Sequence, residues 1–263
     1  MSGDIGNTDA LDVGAQIRDR LIKDLKEDKF VLYFQSIVPV GPSTGEPLYR
    51  EILVRFKEEE QDMMPPGMFF PILEQHGLMP LLDRWVTAQV LKWARDKQTA
   101  LGPRPTPRSS INLSNDTIRR DPAFVDFVLR GVRKMGVPAE SLSFEIPILE
   151  VLANPQPLAT LIPPLRSAGC SFALSGFTGE EAGFELATSL GIAFIKVDGS
   201  LIARISRDAE AKARVLAIHQ RCQTLGMRTV CLQVESTETL DVLRGIRVDY
   251  AQGFGIDRPR LLN

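Results

Sequence analysis

Short runs of β-branched and aromatic residues alternate along the whole chain with longer stretches of helical periodicity. Eight runs read as strands: FVLYF (30–34), LYREILVRF (48–56), SSINL (109–113), LSFEI (142–146), CSFAL (170–174), AFIKV (193–197), RTVCL (228–232) and a short DYAQG (249–253). Between most of them lie helical patterns, among them MFFPILEQHG, LLDRWVTAQVLKWARD, DPAFVDFVLRGVRKMG and DAEAKARVLAIHQRCQTLG. Such alternation argues for a parallel sheet with helical crossovers. Eight strands in 263 residues favour an α/β fold of the closed, TIM-like (β/α)8 barrel type over an open sheet. The first connection, VGPSTGEP, is only a turn, so the first two strands are expected to form an antiparallel pair, an irregular opening for such a barrel. A helix is expected from about Ala15 to Glu27. The chain thus divides into residues 1–24, a lead-in and the start of that helix, and residues 25–263, the barrel. No internal repeat is present, and only GPRPTPRS reads as a Pro-rich loop.

Composition narrows the picture. A hydrophobic content of 44% is enough to bury one large core. The net charge of −2 is spread in interspersed charges, without the Lys/Arg block of a general nucleic-acid or membrane-surface protein. Cys170, Cys222 and Cys231 form neither a CxxC motif nor an even disulfide set, which points to a reducing, cytoplasmic setting. With only His76 and His219, there is little material for a His-based metal site or triad. No apolar run approaches the roughly 18 residues of a membrane span, and the acidic, polar start MSGDIGNTDALDVG is unlike a signal peptide.

Polar residues gather at the carboxyl ends of the expected strands: Gln35, Glu51, Arg55, Asn112, Glu145, Ser175, Lys196, Asp198, Glu235 and Gln252. A solvated rim would account for one or two. A ring with about one per strand is the pattern of a barrel-mouth site. Glu51, Leu53 and Arg55 share one strand face, and the planar fork of an arginine there suits a phosphate.

These strand ends resemble the EAL family of bacterial cyclic di-GMP phosphodiesterases, which are barrels. FVLYFQSIV followed by REILVRF is similar to the family's YFQPIV and E-A-L-L-R, and the likeness continues in register through PPGMFFPILEQHGLMPLLDRWV, INLS, SFEI, FIKVD, VESTETL and DYAQGF. It covers nearly everything from about residue 25 to 260.

The resemblance implies a site that holds divalent metals, and it marks departures. Where the family has Asp-Asp-Phe-Gly-Thr-Gly, this chain has Ser175-Gly176-Phe177-Thr178-Gly179-Glu180. The family's A-E-G-V-E reads Cys231-Leu232-Gln233-Val234-Glu235, and its E-L-T-E reads Glu145-Ile146-Pro147-Ile148. Glu51, Asn112 and Glu145 remain from the metal shell and Lys196 from the catalytic set. With acids missing at Ser175, Gly176 and Leu232, the expectation is a chain that is not an enzyme, has no catalytic residue and holds no metal or other cofactor, because a neutral hydroxyl supplies no charge to a hard cation.

Binding is expected to survive. By the resemblance, Gln35, Glu51, Leu53, Arg55, Asn112, Glu235 and Gln252 face cyclic di-GMP, and Glu145, Ser175, Lys196, Gly253 and Phe254 complete the candidate set. EILVR, KVDGS and VES are most similar to the EAL domain of FimX, a degenerate cyclic di-GMP receptor governing type IV pili and twitching motility, whose partner is a PilZ-domain protein. The alternatives are an adaptor that no longer binds nucleotide and a weak phosphodiesterase.

Overall fold

Ten strand segments are present among the described residues, and eight of them close into a ring. They are β1 (Phe30–Pro39), β2 (Tyr49–Lys57), β3 (Met63–Met64), β4 (Arg108–Asn112), β5 (Leu142–Pro147), β6 (Ser171–Phe177), β7 (Phe194–Val197), β8 (Arg228–Cys231), β9 (Tyr250–Ala251) and β10 (Arg260–Leu261). The computed structural model describes residues 5–27, 29–41, 49–57, 63–64, 66–101 and 106–263. The ring runs β1-β2-β4-β5-β6-β7-β8-β9 and back to β1. Strand β1 is antiparallel to both neighbours, β2 over Phe30–Ile37 and β9 at Val38 and Pro39. All the other neighbours in the ring are parallel.

The barrel with an antiparallel first pair is therefore the observed fold. The VGPSTGEP turn falls largely at 42–47 and the first half of GPRPTPRS at 102–105, outside the described residues. Short β3 and β10 were not anticipated: each adds to the edge of β2 or β1, with β10 opposite Tyr33 and Phe34. The helices are α1 (Ile5–Lys26), α2 (Pro66–Gln75), α3 (Met79–Leu101), α4 (Asn115–Arg120), α5 (Phe124–Met135), α6 (Ile148–Leu152), α7 (Gln156–Ser167), α8 (Glu181–Leu190), α9 (Gly199–Ile202), α10 (Ala209–Thr224) and α11 (Thr237–Ile246). The first helix begins ten residues earlier than its apolar periodicity suggests. None of the helices among the described residues is long and apolar enough to cross a membrane.

Strand alternation sorts side chains into two cores. On β2, Ile52 and Val54 point outward and are buried beneath the helices, while Tyr49, Glu51, Leu53 and Arg55 point into the barrel. Inside, Ile37, Tyr49, Ala173, Phe194, Val230 and Tyr250 form a separate apolar plug, with Tyr49, Phe194 and Tyr250 packed ring on ring at 5.1–6.1 Å. One step further along β2, β6, β7 and β9, toward their carboxyl ends, the inward residues become polar: Glu51, Ser175, Lys196 and Gln252. The plug thus forms the floor of whatever the barrel mouth holds. All three cysteines are free and buried in the helix-facing layer.

Candidate functional site at the barrel mouth

Directly above the plug, one ammonium sits between two carboxylates. Lys196 is wholly buried, and its Nζ donates to Glu51 Oε2 at 2.6 Å and to Glu145 Oε2 at 2.5 Å. The strands make this inevitable: Glu51, Glu145 and Lys196 each stand two residues beyond an inward-facing residue, Tyr49, Ser143 and Phe194 respectively. Glu51 Oε1 accepts from Asn112 Nδ2 at 3.0 Å, and Gln252 Nε2 donates both to Glu51 Oε2 at 3.0 Å and to Gln35 Oε1 at 2.9 Å. The amide of Gln35 in turn donates to the backbone oxygen of Asp257 at 2.8 Å. The Ser175 hydroxyl hydrogen-bonds Glu145.

Two negative charges on one positive charge leave the cluster unbalanced, and the acids respond differently. Burial opposes the charge on Glu51, but Lys196 and the amides of Asn112 and Gln252 outweigh it and hold the carboxyl below its usual range. Burial and then the Glu51 charge push Glu145 up to about 7, against the pull of Lys196 and Ser175. Burial works against the Lys196 cation, yet the two carboxylates raise its pKa.

Leu53 and Arg55 continue up the inner face of β2, half-buried. The Arg55 Nη1 donates to the Val54 carbonyl at 2.8 Å and its guanidinium stands 5.9 Å from the Tyr33 ring centre. It forms no ion pair with Glu51 or Glu145. Gly253 is buried and Phe254 is 62% exposed. Glu235 is exposed, on the loop after β8. Gly253 is required by close approach: a Cβ there would stand 2.2 Å from the backbone of Val234. The structure therefore gathers Gln35, Glu51, Asn112, Glu145, Ser175, Lys196 and Gln252 into one hydrogen-bonded layer. Leu53, Arg55, Glu235, Gly253 and Phe254 lie around it without joining it.

A cavity of about 440 Å³ opens beside this layer, with Asn112 in the wall of both. Its lining includes Phe70, Met79, Leu113 and Pro147 and four acids, Glu74, Asp83, Asp116 and Glu150, with no lysine or arginine. Asp83 Oδ2 accepts from the Ser114 amide at 2.9 Å, the Ser114 hydroxyl at 2.7 Å and the Thr117 hydroxyl at 2.6 Å. Even so, burial pushes Asp83 up to about 6, with Asp116 adding to the effect. Burial, then Glu74 and Asp116, raise Glu150 as well. Sequence reading missed this cavity. The available signal was Asp83 itself, an acid on the stripe of α3 that carries the buried Met79, Leu82, Val86 and Val90.

The metals implied by the sequence resemblance can be tested against the donors. Ser175 and Gly176 bring no carboxylate to the end of β6, where the strand breaks register and Gly176 adopts a φ of +71°. Glu51 and Glu145 already neutralise Lys196, and Leu232 is half-buried beside the apolar plug. Glu180 is turned back on its own loop, accepting from the Thr178 amide and hydroxyl. No group of three or more His, Cys, Asp or Glu among the described residues is arranged to hold a metal. The donors present do not fit a metal pair.

A family model described as the EAL domain matches residues 18–259. The chain is 28% identical over 243 residues to the cyclic di-GMP phosphodiesterase PdeB of Shewanella oneidensis, covering 92% of this chain and 28% of that protein. It is 27% identical over 246 residues to the cyclic di-GMP phosphodiesterase PdeF of Escherichia coli, covering 93% and 32%. It thus spans about a third of the length of these curated relatives. Among solved structures, the Xanthomonas citri FimX EAL domain in complex with cyclic di-GMP is similar with a TM-score of 0.84 at 22% identity, over 99% of this chain and 98% of that one. These relatives overturn one expectation. A chain that is no enzyme does not follow from the acids missing at Ser175, Gly176 and Leu232, because PdeB and PdeF, to which it is similar, are cyclic di-GMP phosphodiesterases.

Proposed function

The chain belongs to the EAL-domain family, and from that premise we propose that its barrel mouth binds cyclic di-GMP and passes that signal to a protein partner. The observation that carries the reading is the juxtaposition at one end of the barrel of three features: a preorganised polar layer, an arginine at its lip, and an acid-lined cavity of about 440 Å³. Each answers a part of the ligand. Among the described residues Arg55 has no carboxylate partner, and it offers a charge-assisted contact to a phosphate. The acids of the cavity offer acceptors to the N–H donors of a guanine edge, and Asp83 keeps Oδ1 free of the donors that crowd Oδ2. Phe70 in the cavity wall and the exposed Phe254 offer faces on which bases stack.

Hydrolysis of this dinucleotide is the activity named for the curated relatives, and it is the reaction to assay alongside binding. Control of type IV pili through a PilZ-domain protein is the downstream role we propose, resting on the EILVR, KVDGS and VES strings.

Equilibrium dialysis against labelled cyclic di-GMP, with chromatography of the nucleotide afterwards in Mg²⁺ or Mn²⁺, tests the proposal. Saturable retention by the folded protein, competed by unlabelled ligand and weakened by Arg55→Ala, supports it. No retention by folded protein refutes it. A purified PilZ-domain protein that comigrates with the chain only when cyclic di-GMP is present supports the downstream role, and one that never comigrates refutes it.

A further inference from the structure

The loop after β8 holds a backbone conformation with no local cause. Gln233 has a φ of +56°, in the left-handed region that side chains other than glycine occupy at a cost. Among the described non-glycine residues only Arg247 shares a positive φ, and Arg247 caps the end of α11, where left-handed residues commonly terminate helices. Gln233 ends no helix.

Its side chain shows what it does instead. A Cβ added at Gly199 would come within 2.3 Å of both Cδ and Oε1 of Gln233, so the carboxamide lies directly on the Gly199 backbone. Gly199 is the first residue of α9, three residues beyond Lys196. It is itself fixed by Asp198, which accepts from the Ser200 amide at 2.8 Å. Beyond Gln233, the loop interlocks with the one after β9. The Val234 amide donates to Gln252 O at 3.0 Å, the Gly255 amide to Val234 O at 2.9 Å, and the Gln252 amide to Cys231 O at 2.9 Å. Asp257, two residues further, receives both the Gln35 amide and the Ser36 hydroxyl. A continuous chain of contacts thus runs from β7 through Gln233 to Gln252 and on to β1.

We propose that Gln233 is a positioning residue: its left-handed backbone, held by the packing of its side chain on Gly199, fixes the loops after β8 and β9 in register and so aims Gln252 and Glu235 at the dinucleotide. This rests on the cyclic di-GMP reading of the mouth. Strain at such a position persists only where surrounding structure over-determines it, and Gly199 beneath with the interlocked loops beside it supply that constraint.

Two substitutions separate the backbone from the side chain. Gln233→Gly removes the strain and the contact together. Gln233→Asn keeps a residue that tolerates the left-handed region but stops short of Gly199. Amide exchange is measured in the ligand-free protein at Val234 and Gly255, melting by calorimetry, and cyclic di-GMP affinity by titration. Exchange at both amides is expected to quicken by about tenfold or more in both variants, and affinity to fall by about threefold or more in both. Melting is expected to rise by about 2–4 °C in the glycine variant alone. A merely structural role would move stability and affinity in the same direction. Unchanged exchange in both variants overturns the proposal, as does quickened exchange with undiminished affinity. If exchange quickens and the parent itself takes up no cyclic di-GMP, the brace stands and the ligand assignment fails.

Discussion

On one side of Asn112, the carboxylates of Glu51 and Glu145 close on the ammonium of Lys196; on the other, Glu74, Asp83, Asp116 and Glu150 line a cavity that no lysine or arginine lines. Both regions stand at the same end of the barrel and both desolvate carboxylates. The first sets both carboxylates against one shared cation that is part of the fold, although Glu145 is still pushed up to about 7. The second leaves Asp83 to share three donors on one oxygen, leaves Asp116 with a buried Oδ2 that has no partner, and raises the pKa of Asp83 and Glu150. A paired cluster is a scaffold for whatever binds above it. In the other, among the described residues only Asp116 has an ion-pair partner, Arg120 at 3.5 Å, and the cluster gains from any ligand that brings N–H donors or a proton. The difference separates the residues that shape the site from those with capacity left for a ligand.

The largest effect should come from removing the shared cation. Lys196→Met leaves two buried carboxylates facing each other and is expected to cost about 3–5 kcal/mol of stability, read as a lower denaturant midpoint near neutral pH. A loss below about 1 kcal/mol would mean that the pairing contributes little net stabilisation.

The cavity side predicts a pH dependence instead. Asp83 titrates at about 6 in the folded protein against 3.8 ordinarily, so the folded state holds its proton more tightly than the unfolded state does. That contribution is fully present below about pH 4 and is lost as pH rises through about 6, a span of order 3 kcal/mol. Asp83→Asn, which cannot titrate, should flatten this part of the stability curve. Urea titrations at several pH values between 4 and 7 check it, and an unchanged curve would show that the cavity wall carries no raised acid.

How far the sequence revealed this contrast follows from its periodicities. Period-two strands and their polar ends were legible, because alternation alone places Glu51, Glu145 and Lys196 above Tyr49, Ser143 and Phe194; hence the barrel, its antiparallel opening and most of the mouth were readable. Strand ends were less so: β6 runs to Phe177, past the apolar run that stops at Leu174, and β9 keeps only Tyr250 and Ala251 of DYAQG. The cavity was not legible, because its lining comes from α2, α3, α4 and α6 as well as the end of β4, and helix packing across a sequence gap leaves no local pattern. Gln233 was not singled out, although it stands where the resembled A-E-G-V-E pattern has a glycine, the residue that a left-handed backbone favours. Activity was misread from missing acids alone, and the curated relatives correct that.

Binding changes should be smaller than these stability changes. Arg55→Ala is expected to weaken cyclic di-GMP by about tenfold, or 1.4 kcal/mol, with melting little changed because, among the described residues, the guanidinium bonds a backbone carbonyl of its own strand and otherwise stands only near the Tyr33 ring. Arg55→Lys should restore part of the loss, as a point charge lacks the fork. A variant that melts lower but binds normally would move Arg55 to the structural side of the comparison. The smallest effect is expected at Phe254, 62% exposed. Its alanine variant should lose about 1 kcal/mol of binding through lost stacking and less than about 0.5 kcal/mol of stability. Equal affinity in parent and variant would remove it from the site.

Isothermal titration of the intact protein with cyclic di-GMP, in the presence and absence of EDTA, bears most directly on the whole account. Every contact assigned to the ligand comes from the chain's own side chains, so one site per chain is expected, with the same affinity in both buffers. Folded protein that releases no binding heat in either buffer and retains no ligand in parallel dialysis would contradict the assignment of the mouth, and binding abolished by EDTA would contradict the conclusion that its donors do not fit a metal.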